Sequence, residues 1–292
     1  MMKRIAVTGA GGFVGKRFVE YNESRFEIIP FSLREKNISE INLSGIEAIV
    51  HLAGKAHQME PIADKIYFDV NYELTKRFAE KAKQQGVGHF IYISSTKVYG
   101  DEVHETLDEN SPCNPNDAYG ASKLKAEEFL LSVQSEKFKT AIIRPPLVYG
   151  PGVKGNMIKL LQLASKKIPL PLGNTRNARS MVFIDNLIEL INTVIEQKAA
   201  GVFIAGDREP IATDKLILIM RKYLGVNSGL LSVPFTLRKL VKKIKPALYV
   251  RLFGSFVVNN GNTNRSLNFV PPYTIEHGLE QMVKWYRKTH LS

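Results

Sequence analysis

The sequence predicts an α/β protein, a doubly wound parallel sheet with a smaller C-terminal domain. Three observations carry that prediction. The apolar run Ile5-Ala6-Val7 passes through a glycine-rich turn, Thr8–Gly15, straight into Lys16-Arg17-Phe18-Val19-Glu20. Short apolar runs then alternate with helix-period stretches up to about residue 150, the signature of βα units. Beyond Pro151-Gly152 the pattern becomes less regular, around Asn156-Met157 and Leu170-Pro171-Leu172-Gly173. The expected division is a dinucleotide-binding domain over 1–150 and a mainly substrate-binding domain over 151–292, with some later segments returning to the sheet.

The first element is strand, turn and helix. Gly9, Gly12 and Gly15 fall three apart. That spacing allows a tight turn and close backbone approach to a pyrophosphate, and it aims the N–H groups of a helix start at the anion. A Rossmann-type cradle is the functional reading, and ordinary βα punctuation is the competing one.

Phe26–Phe31 reads as the second strand, and Pro30 within it points to a sheet edge, since proline removes a ladder donor. Only residues 35–45 separate it from the next apolar run, Ile46–Leu52. Eleven residues cannot hold a full helix and strand, so the third strand of the usual wound sheet is expected to be missing or vestigial. After the second strand stand Ser32-Leu33-Arg34, where NAD-specific folds carry a carboxylate for the adenosine ribose. A hydroxyl and a guanidinium suit a 2′-phosphate, so NADP(H) is the favoured cofactor. Glu35 is near enough to keep NAD(H) compatible.

Leu52-Ala53-Gly54 ends a strand beside the first, and Lys55–Met59 follows as a possible lip of the site. Residues 65–86 carry a helical pattern in Val70, Leu74, Phe78 and Ala82, closed by Gly86. His89–Ser94 is a further strand, ending in Ser95-Thr96-Lys97-Val98-Tyr99-Gly100, and a long polar loop leads to a helix opening near Ala118-Tyr119. Val202–Gly206 is expected to return to the sheet, with helices over 215–224 and 275–287.

In the helix after residue 118, Tyr119 and Lys123 are four apart and share one face. At about 4.5 Å and an effective dielectric of about 20, a cation stabilises tyrosinate by roughly 3.5–4 kcal/mol, lowering the phenol pKa by roughly 2.5–3. The pair can therefore serve proton transfer, although such spacing also arises by chance on helix surfaces.

Bulk properties narrow the classes. The chain has 292 residues, 44% hydrophobic and 23% charged, with a net charge of +12. The charge suggests anionic ligands. No nucleic-acid recognition motif accompanies it, so a nucleic-acid role is not expected. Cys113 is the only cysteine, which leaves no intrachain disulfide. The apolar start meets Thr8-Gly9 after three residues and no run approaches a membrane span, so a cytoplasmic protein is expected. The histidines are scattered without ligand spacing, so no metal site is expected. A serine-hydrolase triad is equally unsupported.

Taken together, Thr8–Gly15, His51–Gly54, Asn71, Ser94–Ser95, Val98–Gly100, Tyr119–Lys123 and Arg144–Pro151 resemble, in order, an extended short-chain dehydrogenase/reductase of the nucleotide-sugar epimerase/dehydratase group. The resemblance implies a catalytic set of Ser95, Tyr119 and Lys123. Tyr119 would exchange the proton of a sugar hydroxyl, Ser95 would hydrogen-bond that oxygen, and Lys123 would hold the nicotinamide ribose and tune Tyr119. Cofactor contacts are expected from Gly9, Gly12, Phe13, Val14, Gly15, Ser32, Arg34, Leu52, Ala53, Gly54, Asn71, Tyr119, Lys123 and Pro145. Substrate contacts are expected from Ser95, Thr96, Asn156, Arg179 and Arg251, the two arginines as a diphosphate clamp.

Dehydratases of the group carry Asp-Glu directly after the catalytic Ser/Thr, whereas this chain has Thr96-Lys97, which argues against 4,6-dehydration. The favoured activity is reduction at C4 of a UDP-4-keto-6-deoxy-N-acetylhexosamine. The alternatives are a UDP-glucose or UDP-N-acetylglucosamine 4-epimerase and, from another class, a non-catalytic NAD(P)-sensing or interaction protein. A homodimer through the helices at 65–86 and 118–136 is implied by the resemblance. Residues 238–251 carry Arg238, Lys239, Lys242, Lys243, Lys245 and Arg251 among apolar residues without an acid. A solvated helix near the anionic substrate is the favoured reading, and peripheral membrane contact is the other.

Overall fold

In β1 (Arg4–Thr8), Ile5 and Val7 enter one apolar layer and Ala6 the other, as a strand of period two must when both faces are covered. The computed structural model describes residues 2–33, 38–56, 62–101 and 105–291, with the backbone alone for residues 39, 235, 237, 240 and 247. After β1, helix α1 (Phe13–Tyr21) leads to β2 (Glu27–Phe31) and β3 (Ala48–His51). Next come α2 (Asp64–Tyr67), a π-helical segment Phe68–Glu73, α3 (Leu74–Gln84), β4 (His89–Ile93), α4 (Ala118–Ser132) and β5 (Lys139–Arg144). The helical period expected over 65–86 thus includes one wide turn, a device that often re-aims a functional side chain.

The later elements are β6 (Leu147–Tyr149), α5 (Asn156–Ala164), β7 (Leu170–Gly173), β8 (Met181–Phe183), α6 (Ile184–Gln197), β9 (Gly201–Ile204) and α7 (Thr213–Leu224). They are followed by β10 (Leu230–Ser232), α8 (Phe235–Ile244), α9 (Pro246–Phe253), α10 (Gly261–Ser266) and α11 (Ile275–His290).

The main sheet is parallel throughout, in the order β2-β1-β3-β4-β5-β9. β2 is the edge strand, with Pro30 opposite Val7. Among the described residues no strand lies beyond it, as the short interval 35–45 requires. β9 returns to the opposite edge beside β5.

Alternation along the strands sorts the core into two layers. Ile5, Val7, Val50, Ile91 and Ile143 pack with Phe18 of α1 and with Leu187 and Ile191 of α6. Ala6, Ile49, Phe90, Tyr92 and Ile142 pack with Phe78 and Ala82 of α3 and with Ala126 and Leu130 of α4. Each fully buried Val, Leu, Ile or Phe in these layers contributes roughly 1.5–3 kcal/mol, so the two layers fasten helices to both faces of the sheet. Two small parallel pairs, β6 with β8 and β7 with β10, stand outside the main sheet and form the framework of the smaller C-terminal region.

Candidate active site

The glycine turn is built by steric exclusion. Gly9 has φ +72°, and a Cβ there would lie 2.7 Å from the backbone of Leu52 and Ala53. At Gly15 a Cβ would lie 2.2 Å from the Gly9 carbonyl oxygen. Glycine at these positions lets α1, the turn and the end of β3 close on one another. At Gly11 a Cβ would meet nothing within 4 Å, and Gly11 and Gly12 are exposed. Gly12 caps α1 without a side-chain acceptor, and the first turn carries no acid. The free amides there and the positive end of the helix dipole suit an anion. The turn therefore fits a dinucleotide pyrophosphate. Phe13 and Val14 pack partly buried against the core, with Phe13 also beside the Gly152 backbone.

Beneath the turn, Thr8 Oγ1 pairs with His51 Nδ1 at 2.8 Å and His51 Nε2 with Thr75 Oγ1 at 2.9 Å. Thr8 Oγ1 also accepts from Ala53 N at 3.2 Å, which ties Leu52-Ala53-Gly54 to the end of β1. Burial first, and the Lys123 charge second, push the His51 pKa down to about 3, so this imidazole is a neutral strut.

Asn71 lies in the π-helical segment and is fully buried. Its Oδ1 accepts from Lys55 N at 2.7 Å, while its Nδ2 donates to Lys55 O and to Ser122 Oγ. A Cβ on Gly54 would sit 3.0 Å from Asn71 Oδ1 and 3.3 Å from Lys123 Nζ. Gly54, Asn71 and Lys123 thus converge at the carboxyl edge of the sheet, where ligands of such folds bind.

Tyr119 stands in the first turn of α4, which Asp117 caps by accepting from Gly120 N at 2.7 Å. Its phenol hydrogen-bonds with Ser95, and its ring meets Tyr67 edge-on at 5.9 Å. Ser95 Oγ accepts from Lys97 N at 3.2 Å, which fixes the hydroxyl at the end of β4. Burial pushes Tyr119 up to about 12, the Ser95 bond opposes this, and Asp117 and Tyr67 add to the rise.

Lys123 donates to the Ile93 carbonyl at 2.8 Å and lies 4.6 Å from the Tyr92 ring centre. Its pKa is pushed down to about 8 by burial, with Glu127 opposing. The expected lowering of the phenol by this ammonium is therefore corrected: burial governs Tyr119, and Lys123 is engaged with Ile93 and Tyr92.

A buried ion pair forms the floor. Arg144 grips Glu127 with Nε at 3.1 Å and Nη2 at 2.6 Å, both to Oε2, and donates to Tyr99 Oη at 2.7 Å. Ser94 donates to Glu127 as well. Thr96, itself buried, donates its N–H to the Pro145 carbonyl at 3.0 Å. Lys97 pairs with Asp101 and Asp117, so the two positions after Ser95 hold no carboxyl group.

A second cluster lies in the C-terminal region. Arg179 Nη1 donates to the carbonyls of Val250, Arg251 and Gly254 at the end of α9. Burial lowers its pKa. Arg251 is exposed on α9, and Asn156 is exposed at the start of α5. Ser32 is exposed after β2, whereas Arg34, Glu35 and His57–Met59 lie outside the described residues. Sequence reasoning passed over Tyr67, Ser122 and Glu127. Glu127 follows Lys123 by four on the same helix face and could have been found by extending the Tyr119–Lys123 spacing once more. No sequence signal marks Tyr67. Among the described residues no group of three His, Cys, Asp or Glu is placed to hold a metal, and no helix is long and apolar enough to cross a membrane.

A parallel sheet carrying this glycine turn and a tyrosine–lysine helix at its carboxyl edge defines a Rossmann-class, dinucleotide-dependent enzyme. The chain belongs to the NAD dependent epimerase/dehydratase family, whose model matches residues 5–206. It is 35% identical to UDP-glucose 4-epimerase of Vibrio cholerae, over 96% of this chain and 94% of the relative. It is 28% identical to N-acetyl-alpha-D-glucosaminyl-diphospho-ditrans,octacis-undecaprenol 4-epimerase of Escherichia coli O157:H7, over 98% and 96%. In fold it is similar to UDP-glucuronic acid 4-epimerase from Bacillus cereus in complex with NAD, with a TM-score of 0.75, 20% identity and coverage of 98% and 99% of the two chains.

The preference for NADP(H) is overturned. Similar solved structures named as NAD complexes outnumber those named with NADPH or NADP. The Ser32 hydroxyl can bond a ribose diol as readily as a phosphate.

Proposed function

We propose that this chain is an NAD-dependent 4-epimerase of a UDP-hexose or UDP-N-acetylhexosamine. The observation that carries the reading is the convergence of Gly54, Asn71 and Lys123 at the sheet's carboxyl edge, with Tyr119 one helical turn from Lys123 and tied to Asn71 through Ser122. The 35% identity with a UDP-glucose 4-epimerase favours epimerisation over the C4 reduction expected from sequence. The absence of a carboxyl group at Thr96 and Lys97 argues against dehydration.

Bound NAD supplies a hydride acceptor, and then a donor, at its nicotinamide ring. Gly9, Gly12 and Gly15 with the α1 amides hold the pyrophosphate, Leu52–Gly54 and Asn71 line the path beside it, and Lys123 holds the ribose. Ser95 bonds the sugar O4. Tyr119, as the phenolate that the cationic ring of bound NAD would favour, would take the O4 proton while the cofactor accepted hydride from C4, and would give that proton back to O4 when hydride was returned to the opposite face of the turned 4-ketone. The reaction is redox-neutral. Arg251 and Asn156 hold the nucleotide diphosphate during the turn, and Arg179 acts through the end of α9 that it ties down.

The test is incubation of the purified protein with UDP-glucose and UDP-N-acetylglucosamine, with and without added NAD, read by product NMR. Interconversion of the C4 epimers without net cofactor consumption is expected, with a loss of about 100-fold or more in Tyr119→Phe. Stoichiometric NADPH oxidation with a 4-keto sugar and no epimer exchange would overturn the assignment, as would unchanged turnover in Tyr119→Phe.

A further inference from the structure

The positive charge of the chain is concentrated outside the candidate active site. Between Asp214 and Glu276 there is no acidic residue, yet ten lysines and arginines fall there, in a chain whose net charge is +12. The helix pair α8–α9 carries five of them and Lys245 between the helices is a sixth. Arg238 is the inward anchor, donating to the carbonyls of Val233, Gly173 and Asn174 and lying 5.2 Å from the Phe253 ring centre. Lys239, Lys242 and Lys243 occur at helical spacing and are exposed.

Between the two helices the chain turns through Lys243-Ile244-Lys245-Pro246. Ile244 at this apex is 65% exposed, and Leu248 one turn into α9 is 41% exposed. Lys242 Nζ lies 5.6 Å from the Tyr249 ring centre, which joins the two helices beneath the apex.

A solvated helix near an anionic substrate accounts for the lysines but not for the apolar residues between them. Isoleucine and leucine presented to water between three lysines and a proline gain nothing from solvent. They are stabilised when an apolar phase covers them. Basic side chains around a small apolar tip match the chemistry of an anionic bilayer, whose phosphates take the ammonium groups while acyl chains take the apolar tip. We propose that the α8–α9 apex docks the protein on an anionic phospholipid surface, with Ile244 and Leu248 entering the interface and Lys239, Lys242, Lys243 and Lys245 pairing with headgroups. The attachment is peripheral, and it is independent of which sugar the active site turns over.

Flotation with vesicles of mixed phosphatidylglycerol and phosphatidylcholine, against phosphatidylcholine alone, tests the proposal. Wild-type protein is expected to float with the anionic vesicles at low salt, to be released at high salt, and to ignore the zwitterionic ones. Each lysine near the surface strengthens binding roughly fivefold, so Lys239→Glu/Lys242→Glu/Lys243→Glu is expected to weaken it more than about 100-fold. Ile244→Asn/Leu248→Asn is expected to weaken it about tenfold or more. Unchanged thermal midpoints and unchanged turnover of a soluble nucleotide sugar confirm that these variants are folded. Absence of wild-type binding at low salt, equal binding to both vesicle types, or variants that float like wild type would overturn the proposal. So would binding to single-stranded RNA without binding to vesicles.

Discussion

Asn71 and Ser122 are joined by a 3.1 Å hydrogen bond from Nδ2 to Oγ, and Ser122 donates in turn to the Tyr119 carbonyl at 2.8 Å. The π-helical turn that carries Asn71 is thereby coupled to the helical turn that carries the proposed proton-transfer group. The wide turn has a local cause as well as a consequence. It directs Asn71 into the interior, where both ends of its amide are satisfied by Lys55 and Ser122.

Asn71→Ala leaves the Lys55 amide and the Ser122 hydroxyl without this partner. An unpaired buried polar group costs about 1–3 kcal/mol, so a loss of that size in urea unfolding is expected, together with a fall in kcat. Unchanged stability and turnover would remove Asn71 from this bracing role.

The Glu127–Arg144 pair supports the same region from below. Removing one partner leaves a buried charge unpaired, so Glu127→Gln or Arg144→Met alone is expected to cost about 3–5 kcal/mol. The double variant Glu127→Leu/Arg144→Met is expected to cost clearly less than the two single losses combined. Additive losses in denaturant titrations would show that the two groups act separately.

His51 sets part of the acid sensitivity. Its pKa is pushed down to about 3 and that of His89 to about 4, both by burial first. The unfolded chain binds protons on these imidazoles near pH 6.5 while the folded chain refuses them, so stability falls as pH drops from about 6.5 towards about 3. His51→Asn is expected to flatten the slope of unfolding free energy between pH 7 and 4.5 by up to one proton, leaving the His89 share. An unaltered slope would contradict the burial argument.

Gly15 tests the cradle. Its added Cβ would meet the Gly9 carbonyl oxygen at 2.2 Å, which forces α1 away from the turn at a cost of about 1–3 kcal/mol. Gly15→Ala is expected to lose bound NAD, measured by release and absorbance, with a lowered thermal midpoint. Wild-type NAD content would contradict the assignment of the turn.

Much of this architecture was legible in local patterns. Three glycines three apart require a close turn, and Pro30 with too few residues after it requires an edge strand. Tyr119 and Lys123 share a face by helical arithmetic alone. What the sequence withheld depended on burial and tertiary direction. The spacing put an ammonium near a phenol, but Lys123 Nζ is held by the Ile93 carbonyl and the Tyr92 ring, so desolvation decides the Tyr119 pKa. The Arg179 Nη1 also closes the end of α9, a contact made across 71 residues of chain that no local pattern announces. Cofactor choice was misjudged because a hydroxyl after β2 distinguishes poorly between a ribose diol and a phosphate.

The central claim, that hydride leaves and re-enters the same sugar carbon, is tested most directly with a UDP-hexose deuterated at C4. The account predicts a C4 epimer that keeps its deuterium at C4, formed without net oxidation or reduction of NAD. Protium at C4 of the product, or release of a 4-keto sugar with deuterium transferred to free cofactor, would contradict it.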